Sequence, residues 1–367
     1  MQNKLNVAVV FGGKSGEHEV SLMSATNVIN AMDKSKYNIN TIGITKQGKW
    51  MLYQGPVEKL QDGSWEQEAG KLDSHELVEL LLNPMLQGTR VQCSKLDEDP
   101  SKKIDVIFPV LHGPNGEDGT IQGFFEMLDI PYVGCGVIGS ALGMDKIISK
   151  QLFMDAGLNV ANYDLSYKHE INDKLQDVIA RIEGKFPYPV FVKPVNMGSS
   201  VGVTKAHDRD ELEKGLQEAA KYDRKILVEE FINGREMECA VLGNNYPEAS
   251  GVGEIIPYKE FYDYEAKYFD DGKSTLVIPA KLTKEEEESI RQAAVKAFKA
   301  LDCCGMSRVD FFLERTTGKI YINEINTIPG FTKISMYPKL WDTAGLSYSK
   351  LVDKLIELAL ERHDETR

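Results

Sequence analysis

Two short strings near the end of the chain, Arg308-Val-Asp310 and Glu324-Ile-Asn326, carry the residue types that hold a hard cation beside an anion. Each sits in a run that alternates polar and apolar residues, Gly305–Leu313 and Lys319–Asn326, with the turn signal Thr-Thr-Gly-Lys between them. Such runs predict neighbouring strands, and side chains two apart on a strand share a face. Arg308 and Asp310 therefore point one way, and so do Glu324 and Asn326. Where the two faces coincide, two carboxylates and an amide oxygen converge next to a guanidinium. Hard oxygen donors beside a cation suit Mg²⁺ carrying nucleotide phosphates. Taken alone, the same pattern describes a solvated polar face equally well.

A second group starts at Lys193, which ends a predicted strand and is followed by Gly198-Ser-Ser-Val-Gly202. Glycine lets backbone N–H groups approach phosphate oxygens, and such loops form anion nests. Lysine adds a point charge. Gly/Ser hairpins are also common without any ligand. Lys146 precedes a predicted helix and reads, by itself, as a surface residue. The string Glu229-Glu-Phe-Ile-Asn-Gly-Arg-Glu236 reads as a strand running into a turn. Its backbone at Glu229, Glu230, Phe231 and Ile232 can read an adenine edge, and Glu236 can hold ribose hydroxyls. An ordinary strand with solvated acids has the same pattern. Glu17 follows a glycine loop at a strand end, where a carboxylate can hold an ammonium group or merely face a helix N-terminus. His112 ends a buried strand next to a glycine-rich loop, a setting that also suits a structural histidine.

These residues need a scaffold of ordinary soluble character. The chain has 367 residues, enough for two or three domains, with 42% apolar and 27% charged residues. The net charge of −13 argues against nucleic acid as a partner, because phosphate backbones are held by an excess of Lys and Arg. It leaves room for a nucleotide in a locally cationic pocket. The five cysteines, Cys93, Cys135, Cys239, Cys303 and Cys304, form no CxxC pair. An odd count with two adjacent members predicts no disulfide framework and a reducing cytoplasm. Val7–Phe11 is too short for a signal-peptide core, and no segment approaches the roughly 20 apolar residues of a membrane span.

Along the chain, Val7–Phe11, Tyr37–Thr45, Lys49–Tyr53 and Ile104–His112 predict strands, with a helix from about Ser21. An apolar helix-like patch at His75–Leu82 interrupts the polar segment 58–102. Alternating strands and helices predict an open α/β first domain whose ligands bind at the strand carboxyl ends. Further on, helices are predicted at 120–128 and Lys146–Ala156, and strands at Pro189–Lys193 and Val201–Lys205. Asp208 with Glu211 is a capping-box pattern for a helix to about Lys221. Strands follow at Lys225–Ile232 and Glu236–Leu242, and Thr283 with Glu286 opens a helix to about Leu301. Leu346–Glu361 closes the chain as an amphipathic helix. Residues 257–274 form a long aromatic and charged stretch, and a loop of that length is usually functional or disordered.

Two motifs mislead. Gly12-Gly-Lys-Ser15 resembles the end of a P-loop, but the full pattern needs glycine where this chain has Ala8. Gly134-Cys-Gly136-Val-Ile-Gly139 matches GxGxxG, but the acid at the right distance, Asp155, falls inside a helical pattern and not at a strand end. It reads as a glycine-rich turn before a helix.

Taken together, five segments carry a resemblance. They are Gly12-Gly-Lys-Ser-Gly-Glu-His-Glu-Val-Ser-Leu22, His112-Gly-Pro-Asn-Gly-Glu-Asp-Gly-Thr-Ile-Gln-Gly123, Gly143-Met-Asp-Lys146, Phe261-Tyr-Asp-Tyr-Glu-Ala-Lys-Tyr268 and Asn323-Glu-Ile-Asn-Thr-Ile-Pro-Gly-Phe-Thr332. In this order they closely resemble the D-alanine–D-alanine ligase family of ATP-grasp enzymes, from residue 7 to about residue 360. The resemblance implies an ATP-grasp fold with an N-terminal open α/β (Rossmann-like) domain, and domains at 1–121, 122–229 and 230–367. It implies ATP as co-substrate, two Mg²⁺ ions (or Mn²⁺ in their place) on Asp310, Glu324 and Asn326, and phosphates on Lys146, Lys193, Ser199 and Ser200. Adenine is expected on the backbone of Glu229–Ile232 and the ribose on Glu236. The first D-alanine is expected on Glu17 with His112 nearby. The second is expected on Ser335 and Lys267, with Met336 shaping its pocket. Arg308 and the Gly330 N–H are expected to stabilise the oxyanion. Residues 257–274 are the expected lid. Its Tyr268 is expected to reach toward Ser199 and Glu17, and Lys267 also to serve the nucleotide. The family is typically dimeric, and its dipeptide serves peptidoglycan precursors. Three rival readings follow from the same residues: a sister ligase with another D-amino or D-hydroxy acceptor, a non-catalytic nucleotide-binding protein, and an NAD(P) enzyme resting on GCGVIG alone.

Overall fold

The computed structural model describes residues 4–71, 104–257 and 275–365. Three sheets carry it. The first has the order β4-β3-β2-β1-β5 and comprises β1 (Leu5–Gly12), β2 (Tyr37–Ile44), β3 (Trp50–Tyr53), β4 (Gly70–Lys71) and β5 (Val106–Val110). β1 pairs in parallel with β2 and β5, while β3 pairs antiparallel with β2 and β4 antiparallel with β3 at the edge. Val7, Ala8, Val9, Val10 and Phe11 are all fully buried, as a central strand covered on both faces requires. The carboxyl ends of β1 and β5 thus bring the Gly12-Gly13 and His112-Gly113 loops to one edge.

The second sheet, β6-β9-β7-β8, comprises β6 (Tyr163–Tyr167), β7 (Val190–Pro194), β8 (Thr204–Ala206) and β9 (Lys225–Glu230). The third, β12-β11-β10-β13-β14, comprises β10 (Gly234–Gly243), β11 (Glu248–Ile256), β12 (Thr275–Val277), β13 (Gly305–Glu314) and β14 (Ile320–Asn326). All pairings in both are antiparallel.

The cores divide unevenly. Val7, Val9, Phe11 and Phe108 of the first sheet pack in one cluster with Ala240, Leu242 and Ile255 of the third and with Leu351, Val352 and Leu355 of the last helix, Tyr348–Glu365. Phe331 lies in that cluster, fully buried, with its ring 6.2 Å from Phe108 and 5.6 Å from Tyr337. The second sheet closes over a separate core built from Val190, Val192, Ile226 and Val228 with the helices Lys168–Glu183 and Arg209–Tyr222.

Several boundaries differ from the sequence expectation for local physical reasons. The first helix spans His18–Ala31, one turn earlier than Ser21, with Glu17 at its N-cap. The strand expected from Val201 begins at Thr204, because Ser199, Ser200 and Gly202 take φ of 48°, 60° and 70° and form a left-handed turn that no strand can include. The strand expected to Ile232 ends at Glu230. Asp208 caps Glu211 N at 2.9 Å, but the Glu211 carboxylate reaches back to His207 N instead of completing the box. At Thr283 the box is complete: Thr283 N donates to Glu286 Oε2 at 2.8 Å and Glu286 N to Thr283 Oγ1 at 3.2 Å. Gly134–Gly139 is a turn entering the helix Val137–Met144, and only a single bridge, Ile107 to Tyr132, precedes it. A dinucleotide fingerprint needs a strand there. The patch at His75–Leu82, the greater part of the expected lid, and Lys267 and Tyr268 lie outside the described residues.

Thr283→Ala removes one arm of the capping box on the helix Lys284–Ala300. Stability should fall by about 1 kcal/mol, read as a lower urea midpoint at unchanged m-value, with specific activity intact. An unchanged midpoint would mean that the cap contributes nothing.

Candidate active site

The register of the third sheet decides how its polar residues meet. Across β13 and β14, Arg308 pairs with Asn326 and Asp310 with Glu324. On the other side, β10 places Glu238 directly opposite Asp310. Three carboxylates therefore stand in a row over three adjacent strands, with one guanidinium among them. Arg308 Nε and Nη2 each donate to an oxygen of Asp310 at 2.7 Å, and Nε lies 3.0 Å from Glu238 Oε2. Asn326 Nδ2 donates to Asp310 Oδ2 at 3.0 Å. Like charges side by side on a sheet repel, and the bidentate arginine offsets that repulsion.

The opposite wall comes from the second sheet and the helix Lys146–Asp155. Asp145 caps that helix by accepting from Ile147 N and Ile148 N, both at 3.1 Å, and is itself ion-paired with Lys225. This fixes Lys146 at the first helical position, where its Nζ donates to Met197 O at 2.8 Å and lies 3.4 Å from Glu324. Lys146 is thus a pocket residue and not the surface lysine its isolated position suggested. Lys193 Nζ lies 2.7 Å from Glu229 Oε2 and 3.3 Å from Asn323 Oδ1. Burial opposes the charge on Glu229, but Lys150 and Lys193 outweigh it and hold the carboxyl down to about 2.

Between these walls lies a cavity of about 310 Å³, lined by Lys146, Lys193, Ser199, Ser200, Glu229, Glu230, Phe231, Ile232, Glu236, Asp310 and Glu324, among others. A second space of about 80 Å³ adjoins it and is lined by Glu17, His112, Arg308, Asn326, Gly330, Ser335 and Met336, among others. Gly198, Ser199, Glu238, Ile255 and Glu324 border both.

Glu17 is 7% exposed and accepts a hydrogen bond from the Ser199 hydroxyl, which ties the first sheet to the Gly/Ser loop. A Cβ at Gly198 would stand 2.8 Å from Glu17 Oε2, and one at Gly113 would stand 2.7 Å away. Glycine at 198 thus gives clearance to the carboxylate, a reason distinct from the phosphate approach the sequence suggested. His112 is held at both ring nitrogens. Nδ1 must donate to Ile328 O, 3.0 Å away, since a carbonyl only accepts, so Nε2 accepts from the Ser24 hydroxyl at 3.3 Å. Burial pushes the imidazole pKa down, consistent with this neutral form. Ser335 is the N-cap of the helix Met336–Thr343, and its hydroxyl accepts from Thr332 N at 3.0 Å. A helix N-terminus at the edge of the small space favours an anionic group there.

The comparisons with known proteins agree on one family. A family model described as the D-ala D-ala ligase N-terminus matches residues 6–135, and one described as the D-ala D-ala ligase C-terminus matches residues 152–357. The chain is similar to D-alanine–D-alanine ligase of Ruminiclostridium cellulolyticum, 57% identical over 367 residues that cover 100% of this chain and 98% of the relative. The chain belongs to the D-alanine–D-alanine ligase family. Among solved structures, the D-Ala:D-Ser ligase VanG from Enterococcus faecalis superposes with a TM-score of 0.83 at 40% identity, covering 97% of this chain and all of that one. The D-alanine–D-alanine ligase from Coxiella burnetii gives 0.78 at 36% identity, covering 99% of this chain and 96% of that one. The fold is therefore ATP-grasp, and the protein is a ligase. Among the described residues, no helix is long and apolar enough to cross a membrane.

Four polar residues of this ligase escaped the sequence reading. Glu238 follows Glu236 by two on a predicted strand, so a shared face was readable. Lys150 follows Lys146 by four on a predicted helix, again on one face. Lys225 had no local signal, because its partner Asp145 is distant in the chain. Glu117 sits in the quoted His112–Gly123 string without a role of its own. Its carboxylate accepts from Gly113 N at 2.6 Å and Ile328 N at 3.2 Å, clamping two loops together. Burial, with the charge of Glu17 beside it, pushes the carboxyl up to about 8 from an ordinary 4.5.

The raised value means that the folded ligase holds a proton that the unfolded chain releases. Glu117 therefore costs stability progressively as pH climbs from about 4.5 to about 8. Glu117→Gln should remove that slope: melting temperatures of the two proteins should converge, or cross in favour of the variant, between pH 5 and pH 8.5. Parallel profiles would show that Glu117 ionises normally.

Proposed function

We propose that this ligase joins two molecules of D-alanine at the expense of ATP, through an acylphosphate, and supplies the dipeptide to peptidoglycan precursors in the cytoplasm. The observation that carries the reading is the pair of adjoining spaces. One is of nucleotide scale, walled by Lys146 and Lys193, and the other is small, walled by Glu17 and Arg308. A carboxylate in the small space lies next to phosphates in the large one.

Asp310, Glu324 and the amide oxygen of Asn326 suit Mg²⁺. All three are hard oxygen donors at registered positions on neighbouring strands. When bound, such ions would neutralise charge on the triphosphate.

The chain's own residues would do the rest. Lys146 and Lys193 offset repulsion between the triphosphate and the carboxylate of the first D-alanine. The carboxylate oxygen attacks the γ-phosphorus, ADP leaves, and an acylphosphate forms. Glu17 holds the ammonium group of that D-alanine, oriented by the Ser199 hydroxyl. The amine of the second D-alanine, its carboxylate at Ser335 and the helix N-terminus behind it, attacks the acyl carbon. The acyl C–O bond to phosphate breaks, and the departing inorganic phosphate takes up the proton that the amine gives up. Arg308, held in place by Asp310 and Glu238, and the Gly330 N–H face the oxyanion formed on the way. His112 orders the loops around Glu17 and has no spare nitrogen for proton transfer.

Phosphate release from Mg-ATP with D-alanine, compared with L-alanine, D-serine and D-alanine plus D-lactate, with products identified by mass, tests the reading. Release with D-alanine alone, yielding the dipeptide, is expected. Release only with D-serine or D-lactate present would move the protein to a sister ligase. Arg308→Met should lower kcat by about 10²- to 10³-fold, the loss of one oxyanion donor, with ATP binding weakened less than in Glu324→Gln. Full activity in Arg308→Met would end its assignment to the oxyanion.

A further inference from the structure

Lys150 is the most deeply buried cation of the large cavity and has no part in the chemistry above. It is 1% exposed and stands one helical turn beyond Lys146. Its Nζ lies 2.6 Å from Glu229 Oε1 and 3.4 Å from Asn323 O, while Lys193 takes the other oxygen of Glu229 at 2.7 Å. Glu229 is 3% exposed. One buried carboxylate thus stands between two ammonium groups, with Glu324 acting on both of them as well.

A buried carboxylate stays charged only with a partner, and stripping its partner away is costly. Lys193 can move its charge onto a phosphate only if Glu229 keeps another counter-ion. We infer that Lys150 is a positioning residue, the standing counter-ion of Glu229, whose presence lets Lys193 turn from the protein to the triphosphate. Without Lys150, the pair of Glu229 and Lys193 becomes one-to-one, and the nucleotide must compete with Glu229 for the lysine. Lys146 does not replace it, since its Nζ faces Met197 O and Glu324. Glu324 and Glu236 also act on Lys193 electrostatically, but Glu229 acts most strongly. The inference rests on reading the large cavity as the ATP site.

The test compares ATP with adenosine, which lacks phosphates, by calorimetric titration of the full-length protein with Mg²⁺ present. Lys150→Met should weaken ATP roughly tenfold or more, a difference of about 1.4 kcal/mol or above, and leave adenosine unchanged, so the ratio of the two affinities falls. An unchanged ratio, whether both ligands bind as before or weaken alike, would overturn the inference and leave Lys150 as a mere staple between helix and sheet. Lys150→Met with Glu229→Gln removes the buried charge together with its partner and guards against a single variant that fails to fold. In that double variant Lys193 is released, and the ratio should return to the wild-type value. A ratio still depressed there would also overturn the inference. Absence of ATP binding by the unaltered protein would instead remove the reading of the cavity itself, and this inference with it.

Discussion

The register of three strands governs the whole site. Glu238, Asp310 and Glu324 lie abreast on β10, β13 and β14, with Arg308 and Asn326 abreast one pair further along. A slip of one residue between β13 and β14 would turn either set to the opposite face. The sheet fixes the register through its apolar side: Val309, Phe311 and Leu313 alternate inward against Ile322 and Ile325, all buried. The irregularity in pairing just after Asp310 leaves the match at 308 and 310 intact while shifting the residues beyond it. Packing on one face therefore specifies the charge constellation on the other.

A row of carboxylates is unfavourable until cations share it, and the surrounding structure supplies cations from separate elements. Arg308 comes from the sheet itself, Lys146 and Lys150 from a helix, and Lys193 from the second sheet. Each is anchored by a carboxylate or a carbonyl of a different segment. The same economy appears at Glu17, where a serine from one loop and two glycines from different parts of the chain shape the space around a single acid. Residues far apart in sequence are thereby made mutually dependent, and so little of the site can be shifted without disturbing the rest.

Much of this was legible beforehand. Period-two alternation announced β13 and β14 and put the right pairs on one face, because the strands are half-buried and their pattern is clean. The Thr283–Glu286 cap was legible because both its partners are three residues apart. The failures follow the same logic in reverse. Val201 looked like a strand residue, but backbone strain at Ser199 and Ser200 is invisible to a hydrophobic pattern. Glu229 was read for its backbone, yet its side chain turns inward, and only Lys150 and Lys193 together make that burial tolerable. Lys225 gave no hint at all, because its role exists only once residue 145 is brought beside it. Local periodicity reports faces, and it does not report which distant charge a buried face will need.

The uneven division of the cores has a further consequence. The first and third sheets share one apolar core, whereas the second closes over its own. Polar links such as Ser199 to Glu17 and Lys193 to Asn323 cross the boundary between these two packed bodies, beside the helix Lys146–Asp155, whose Ile147 packs with Leu227 and whose Phe153 packs against the third sheet. A ligand filling that seam contacts both bodies at once and becomes, for as long as it stays, the missing interior between them. In hydrogen-exchange terms, the second sheet is expected to open as a unit of its own when the seam is empty and only together with the remainder when it is full.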